Sequence, residues 1–334
     1  MALLRVHVPA ERRGRVFGMV GATMGLSAAI GPPLGGEIVT RFGWRGIFAA
    51  SLPFLLVAAL LVRHSPLPHD PNVRRATFRE FAGRFDWAGS LLFAAGLAAL
   101  VVGSKLAGSA RVGTLVGSLA VMVTFVLWEL RSKDPVLDVR LFKNRGFSAG
   151  SSGVALQNFA MYGLIFELPQ FFTAVRGATA KEVGHVLFVM MLAMFVTSPL
   201  GGRLADRFGS RVAALAGAVP LLGGLLLLSR IGTFQTPKDA APALIVLGIG
   251  IGLSGAPLQA AAMASVGVKE AGMAAGATST MRYVGGVLSI LCLSAILGGR
   301  AGTIAAHVAA IRMFTAGAVV ATFVCFLLPG RTPA

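Results

Sequence analysis

Two ionisable side chains stand inside long apolar stretches of the sequence, where they could carry charge or protons. Glu167 lies in the segment YGLIFELPQFF, and Arg282 lies near the middle of the apolar run 271–298. A carboxylate at such a position can act as a proton carrier. An arginine there must face a cavity or a carboxylate, because exposure to lipid costs at least ~2.5 kcal/mol. The alternatives are a rim carboxylate paired with a basic group or water for Glu167, and hydrogen bonds to backbone carbonyls for Arg282.

Polar side chains recur at helical spacing in the same segment as Glu167. Gln157, Asn158 and Tyr162 fall on one i, i+4 side, and Gln259 repeats the pattern in a later segment. Amide and phenol groups among flexible apolar side chains suit a cavity for amphiphilic small molecules. Hydrogen bonding between helices explains the same pattern equally well. The candidate cavity residues are Gln157, Asn158, Met161, Tyr162, Phe166 and Gln259.

Other kinds of chemistry have no matching residue pattern in the sequence. The five histidines form no cluster, and Cys292 and Cys325 both lie in apolar runs, where cysteine behaves as a small buried hydrophobe. No nucleophile–base pair or nucleotide-binding loop is recognisable. We therefore expect no metal, no cofactor and no enzymatic activity.

The composition indicates a membrane protein. Of the 334 residues, 55% are hydrophobic and only 13% are charged, against roughly 25% charged residues in soluble domains. A soluble fold of this length has no means of covering so much apolar surface. The net charge of +17 does not indicate nucleic acid, because the basic residues fall between the apolar runs and form no single patch.

The candidate residues must be positioned by membrane-spanning helices. A helix needs about 20 apolar residues to cross a bilayer, and runs of that length without strict alternation exclude strands. We predict an all-α integral membrane protein with about ten transmembrane helices. The segments are 15–39, 44–63, 87–106, 112–130, 148–172, 182–204, 212–231, 240–266, 271–298 and 304–328.

The distribution of lysine and arginine predicts the orientation of these helices. The loops that would be inside if the N-terminus were cytoplasmic carry roughly twice as many Lys and Arg residues as the other loops, and cytoplasmic loops are enriched in these residues. We therefore expect a multi-pass protein of the cell membrane with both termini in the cytoplasm.

The stretch IGPPLGGEI, residues 30–38, interrupts the first apolar run with prolines and glycines. Proline kinks a helix, and glycines spaced at one helical turn let a neighbouring helix approach backbone to backbone. This pattern predicts a bent helix that packs closely at a seam between helices. The motif residues are Gly31, Pro32, Gly35 and Gly36, and Gly21 and Gly25 extend the same small-residue face towards the start of the helix.

A second motif, GRLADRFGSR, lies between two predicted helices on the side assigned to the cytoplasm. Its glycines permit tight turns, its aspartate can accept hydrogen bonds from the amides at a helix N-terminus, and its arginines can anchor at the lipid headgroups. The motif residues are Gly202, Asp206, Arg207, Gly209 and Arg211.

Both motifs resemble those of the major facilitator superfamily, in particular its fourteen-helix drug:proton antiporters. The first is similar to the proline-glycine signature of the fifth helix of these proteins, with Ser27 at the first glycine position, and the second resembles their cytoplasmic-loop motif, with Ser210 at a basic position. FGWRGIF, LFKNRGFSAG and MRYVGG also resemble stretches of the family in the same order. The resemblance implies a helical bundle of this type without counterparts of helices one to four.

The resemblance also implies a domain organisation and a function. Residues 1–63 would form the last two helices of the N-terminal bundle, 64–147 an inserted helix pair with cytoplasmic loops, and 148–334 a six-helix C-terminal bundle. The expected function is proton-coupled efflux of drugs or other amphiphilic small molecules by alternating access, with protons, a small-molecule substrate and the lipid bilayer as partners. The alternative is a truncated or regulatory membrane protein that acts only with a second chain supplying the missing helices.

Overall fold

The structure is helical throughout its described part. The computed structural model describes residues 8–9, 12–64, 83, 85–106, 108–267, 270–299 and 301–330, and no β-strand occurs in these ranges. This confirms the predicted all-α class, and each predicted segment falls on one long helix. The helices are α1 (Arg13–Phe42), α2 (Arg45–His64), α3 (Trp87–Lys105), α4 (Gly108–Arg131), α5 (Arg145–Arg176), α6 (Ala180–Phe208), α7 (Ser210–Leu228), α8 (Ala241–Ala264), α9 (Ala271–Leu297) and α10 (Ile304–Phe326).

Most of these helices have the properties of membrane spans. Among the described residues, eight helices, α2 to α4 and α6 to α10, are long and apolar enough to cross a membrane. The chain is therefore a multi-pass membrane protein. Helices α1 and α5 are 30 and 32 residues long, but they carry more glycine and polar residues. Both of them line the cavity described below, which is where polar residues are tolerated within a membrane.

Local sequence signals fix where several helices begin and end. The Asn144 side chain accepts hydrogen bonds from the backbone N–H groups of Gly146 and Phe147 at the start of α5. Helix α5 ends at Gly177, whose φ of 66° is left-handed, a conformation that glycine adopts without strain. Thr179 and Glu182 then form a capping box at the start of α6. These caps satisfy backbone groups that have no partner within the helix.

The chain divides into two compact units. One contains residues 1–29 and 86–334, and the other contains residues 30–85. In the second unit α2 has no buried residue, and large apolar side chains such as Phe54 and Leu61 are mostly exposed, as expected for a helix surrounded by lipid. Most of the predicted loop between His64 and Asp86 lies outside the described residues.

Helices α3 and α4 pack against each other as a pair. The Ser118 hydroxyl donates a hydrogen bond to the Gly96 carbonyl oxygen at 2.8 Å, and the rings of Phe93 and Phe125 lie 5.1 Å apart. This pairing is compatible with the expected inserted helix pair. The proposed boundaries at residues 63/64 and 147/148 remain a prediction.

Glycines bring α8 into direct backbone contact with its neighbours α6 and α7. A methyl group at Gly217 of α7 would lie 2.6 Å from the backbone nitrogen of Ser254 in α8, and one at Gly248 of α8 would overlap the Met190 carbonyl oxygen in α6. Such small-residue contacts replace the hydrophobic effect as the source of helix association in a membrane. They fix the position of α8, which carries part of the cavity.

Candidate functional site

A cavity of about 180 Å³ lies among helices α1, α5, α6, α8 and α9. All of its lining residues belong to the unit formed by residues 1–29 and 86–334. Five of the six predicted cavity residues line it: Gln157, Asn158, Met161, Tyr162 and Gln259. Phe166 does not. The prediction that these residues bind substrate stays a prediction, but their convergence on one cavity is a fact of the structure.

Phe166 is the exception because it is turned away from the cavity. Its side chain is 45% exposed and borders a separate cleft with Gln170, Leu293 and Ala301. Each step of four residues rotates a helix position by about 40°. The i, i+4 series through Asn158 and Tyr162 has therefore drifted off the cavity side by Phe166.

Two amides of α5 are anchored by hydrogen bonds on the cavity wall. Gln157 donates from Nε2 to the Ile251 carbonyl oxygen at 2.7 Å and to Ser254 Oγ at 2.8 Å. Asn158 donates from Nδ2 to the Val154 carbonyl oxygen at 2.8 Å. The sequence pattern allowed either a cavity wall or hydrogen bonding between helices. Gln157 does both, because it hydrogen-bonds to α8 and also lines the cavity.

Arg282 of α9 reaches the cavity from the middle of its helix. Its Nη2 donates to Gln259 Oε1 at 3.2 Å, and its Nη1 lies 3.4 Å from the sulfur of Met24. Among the described residues, Gln259 Nε2 and Arg282 Nε are buried without a hydrogen-bond partner. Of the two surroundings predicted for Arg282, the structure provides the cavity.

The apolar part of the wall is rich in methionine. Met24, Met161, Met191 and Met194 line the cavity from α1, α5 and α6. Methionine has three rotatable bonds and a polarisable sulfur, so it adapts to irregular shapes. The cavity thus combines fixed amides, a guanidinium group and a deformable apolar wall, which suits amphiphilic molecules.

Glu167 forms a buried pair with His307 of α10. Glu167 Oε1 lies 2.7 Å from His307 Nδ1, and both side chains are fully buried. His307 Nε2 lies 2.7 Å from the Ala301 carbonyl oxygen, and its ring stacks edge to face on Phe171. A carbonyl oxygen only accepts hydrogen bonds, so Nε2 carries a hydrogen. Nδ1 and Oε1 then share one further proton, because two lone pairs at this distance would repel each other.

Pairing of Glu167 with a basic group was one of the predicted alternatives, but that group was not identified as His307 from the sequence. The pair is fully buried and does not lie at a cavity rim. A usable signal existed, since consecutive spans run in opposite directions. The end of α5 and the start of α10 must therefore lie on the same side of the membrane. The pair does not line the cavity.

The last turn of α6 contacts the start of α1 through Asp206. The motif GRLADRFGSR therefore does not lie between two helices as predicted, because α6 continues to Phe208 and α7 begins at Ser210. Asp206 Oδ2 accepts a hydrogen bond of 2.8 Å from the backbone N–H of Arg15 in the first turn of α1. Gly209 has a φ of 87°, which permits the sharp turn between the two helices. Arg207 and Arg211 stack on the rings of Phe208 and Phe326. Asp206 thus accepts a hydrogen bond from an amide at a helix N-terminus, as predicted, and a latching role for this motif remains a prediction.

The close approach of α1 lies earlier in the helix than the motif residues. Methyl groups at Gly18 and Gly21 would lie 2.8 Å and 2.5 Å from atoms of Ser198 in α6, whereas groups at Gly31 and Gly35 would meet no atom within 4 Å inside their own unit. Gly202 of the second motif also lies against Gly18. The side chain of Pro32 and the surroundings of Gly36 lie outside the described residues, so the seam proposed at residues 30–38 stays a prediction.

Long apolar helices around a partly polar cavity define a multi-pass α-helical membrane protein. Comparison with known families gives the particular class. Residues 1–290 match the Major Facilitator Superfamily, and the chain belongs to this family, as the two sequence motifs predicted. The fourteen-helix type and the absence of four helices stay predictions.

Several curated proteins are similar to this chain over most of its length. Multidrug resistance protein Stp of Mycobacterium tuberculosis (strain H37Rv) is 32% identical over 308 residues, which are 89% of this chain and 55% of that protein. Multidrug transporter protein MdtP of Bacillus subtilis is 28% identical over 88% of this chain and 54% of its own length. Methylenomycin A resistance protein of Streptomyces coelicolor is 31% identical, with 89% and 62% covered. The chain spans little more than half the length of these relatives.

Proposed function

We propose that this chain carries out efflux of drugs or other amphiphilic small molecules as a secondary transporter. The observation that carries the proposal is the cavity, in which anchored amides and an arginine face a wall of methionines. The names of the relatives, two of them resistance proteins and one a multidrug transporter, support drugs as the substrate class. Transport is not enzymatic catalysis, and the relatives named above are transport and resistance proteins.

The mechanism we propose is alternating access. Secondary transporters of this kind expose a site near the middle of the bilayer first to one side and then to the other by rocking helix bundles. The contacts that would open and close are those of α1, namely the hydrogen bond from Arg15 to Asp206 and the approach of Gly18 and Gly21 to Ser198. Opening there would also uncover Phe17 of α1, which is packed in a hydrophobic cluster.

The proton site in this proposal is the Glu167–His307 pair. The pair holds one shared proton without net charge, which is the form that a low-dielectric interior tolerates. Loss of that proton leaves a buried negative charge, and this penalty would favour a conformation in which the pair is hydrated. Arg282 stays on the substrate side, where it holds charge and does not exchange protons.

The setting proposed for the protein is the cell membrane, with both termini in the cytoplasm. The support is the bias of lysine and arginine toward alternate loops. A second chain, or further helices, would cover the cavity where Met24 of α1 is 44% exposed beside Arg282. Such a rim calls for protein or water as its neighbour, because lipid cannot solvate the guanidinium.

The proposal is tested by measuring efflux from cells that express this chain alone. The probes are fluorescent amphiphiles of positive, zero and negative charge, each with and without a proton uncoupler. Uncoupler-sensitive efflux of any of them is the expected result. Efflux that appears only when the unmatched part of the M. tuberculosis relative is co-expressed would favour the alternative of a chain that acts with a partner, and no efflux in either case would refute the proposal.

Variants separate proton coupling from substrate transport. Glu167→Gln keeps the size of the side chain but removes its titratable group, so it should abolish the uncoupler-sensitive part of efflux and leave substrate binding unchanged. Glu37→Gln is the matched control, since Glu37 is exposed. Wild-type coupling in Glu167→Gln would show that the proton site lies elsewhere.

A further inference from the structure

The described part of the cavity wall carries a positive charge. Of the described residues that line the cavity, Arg282 is the one ionised side chain, and no carboxylate is among them. Its partners in the described residues are the neutral Gln259 amide and a methionine sulfur. A guanidinium in the middle of a membrane helix is costly without a counter-charge, so this wall lacks an anion.

Unused hydrogen-bond donors lie at the same place. Gln259 turns its oxygen toward Arg282, as it must, because a guanidinium offers only donors. This orientation leaves Gln259 Nε2 without a partner, although the side chain is only 4% exposed. Arg282 Nε is likewise unpartnered. Buried donors of this kind are normally satisfied, so the wall has both a charge and a hydrogen-bonding reason to take up an acceptor.

We propose that the cavity binds amphiphiles that carry a carboxylate, with the carboxylate against Arg282 and Gln259 and the apolar body against the methionines. Charge-assisted hydrogen bonds from arginine to a carboxylate are short and strong. The inference rests on the proposed function and makes it narrower, since it selects anions over the cations and neutral molecules that a methionine wall alone would also accept. The cavity of about 180 Å³ suits a body of one or two rings, because pockets for drug-sized ligands measure roughly 300 Å³ or more.

The test compares three molecules that share one ring system and differ in charge. They are 2-naphthoate, 2-naphthamide and 2-naphthylmethylammonium, and their binding to the full chain is measured by equilibrium dialysis in nanodiscs of zwitterionic lipid. Empty nanodiscs correct for partitioning into the bilayer. We expect 2-naphthoate to bind with a Kd at least about tenfold lower than that of the ammonium compound, because it alone forms charge-assisted hydrogen bonds with the wall.

Variants test whether Arg282 and Gln259 cause the preference for the carboxylate compound. Arg282→Gln should raise the Kd for 2-naphthoate by about tenfold or more and leave binding of the ammonium compound unchanged or tighter. Arg312→Gln is the control, because Arg312 is an exposed arginine of the neighbouring span α10 that does not line the cavity. Gln259→Leu removes the second donor and should cause a smaller loss. Circular dichroism and gel filtration would show whether Arg282→Gln folds. If it does not, Gln259→Leu tests the same preference for 2-naphthoate.

The outcomes distinguish this inference from the proposed function. Equal or tighter binding of the ammonium compound by the wild type, or unchanged 2-naphthoate binding in Arg282→Gln, would overturn the inference while leaving an amphiphile site in place. If none of the three compounds binds, the cavity is no amphiphile site and both proposals fail. If a protein carboxylate from another segment already neutralises Arg282, 2-naphthoate would bind no better than 2-naphthamide, which also counts against the inference.

Discussion

Replacing Gly285 by alanine tests whether backbone contact between α5 and α9 positions the site. A methyl group at Gly285 would lie 2.8 Å from the Ala155 carbonyl carbon and closer still to its oxygen, whereas unstrained carbon contacts lie at about 3.5–4.0 Å. Because the obstructing atoms are backbone, no side-chain rotation relieves the overlap. The two helices must separate by roughly 1 Å, and Gly285 lies one turn after Arg282.

The loss of stability expected from this separation can be compared with the effect of Gly276→Ala in the same helix. Overpacking of this kind typically costs about 1–3 kcal/mol, and the gain from replacing a helical glycine by alanine offsets about 0.5–1 kcal/mol of it. Gly276→Ala in the same helix should gain helix stability without the cost of overpacking, because a methyl group there meets no described atom within 4 Å. Gly285→Ala should therefore be less stable than the wild type, and Gly276→Ala equally or more stable.

The assay is thermal unfolding of both variants in the same nanodiscs, combined with the binding of 2-naphthoate. A lower unfolding temperature and weaker binding in Gly285→Ala, with neither change in Gly276→Ala, is the expected result. If the two variants unfold at the same temperature, α5 and α9 are not in backbone contact at Ala155, and the geometry given for Arg282 relative to the amides is wrong.

Substitutions at three further positions address α1 and its contacts. Gly21→Leu places a side chain against Ser198 at the cavity, so it should lower thermal stability and ligand binding together. Gly35→Leu should slow efflux and leave membrane insertion and stability unchanged. Wild-type binding in the first variant, or undiminished efflux in the second, would contradict these roles. Asp206→Ala removes the acceptor for the Arg15 N–H and should cost about 1 kcal/mol of stability, measurable as a lower unfolding temperature. Asp206→Asn retains an acceptor and should lose much less, and equal losses would point to the charge instead of the hydrogen bond.

Sequence periodicity was sufficient for the parts of the site that lie on one helix. The amides Gln157 and Asn158 and the phenol Tyr162 repeat within a single span, and the helical period alone places them on one side. The same periodicity failed at Phe166, because a series of four-residue steps drifts around the helix axis. Extrapolation of such a series is reliable over about two turns.

Contacts between particular residues of distant segments were only partly accessible from the sequence. Glu167 and His307 are 140 residues apart, and only the antiparallel order of the spans brings their helix ends to the same side. The contact of Gly18 with α6 was likewise missed, whereas the small-residue face predicted for α1 includes Gly21. Their role depends on where Ser198 of α6 lies, which local sequence does not encode.

The glycine contacts of α8 also determine where the molecule can yield mechanically. Where Gly217 and Gly248 bring backbones together, no side-chain rotamers are present to absorb a displacement. Helices α6, α7 and α8 should therefore move as one stiff block. Long flexible side chains can absorb a displacement, and the methionines that line the cavity are of this kind. The shape of a bound molecule is therefore accommodated first by these side chains, while the backbone contacts of the block resist displacement.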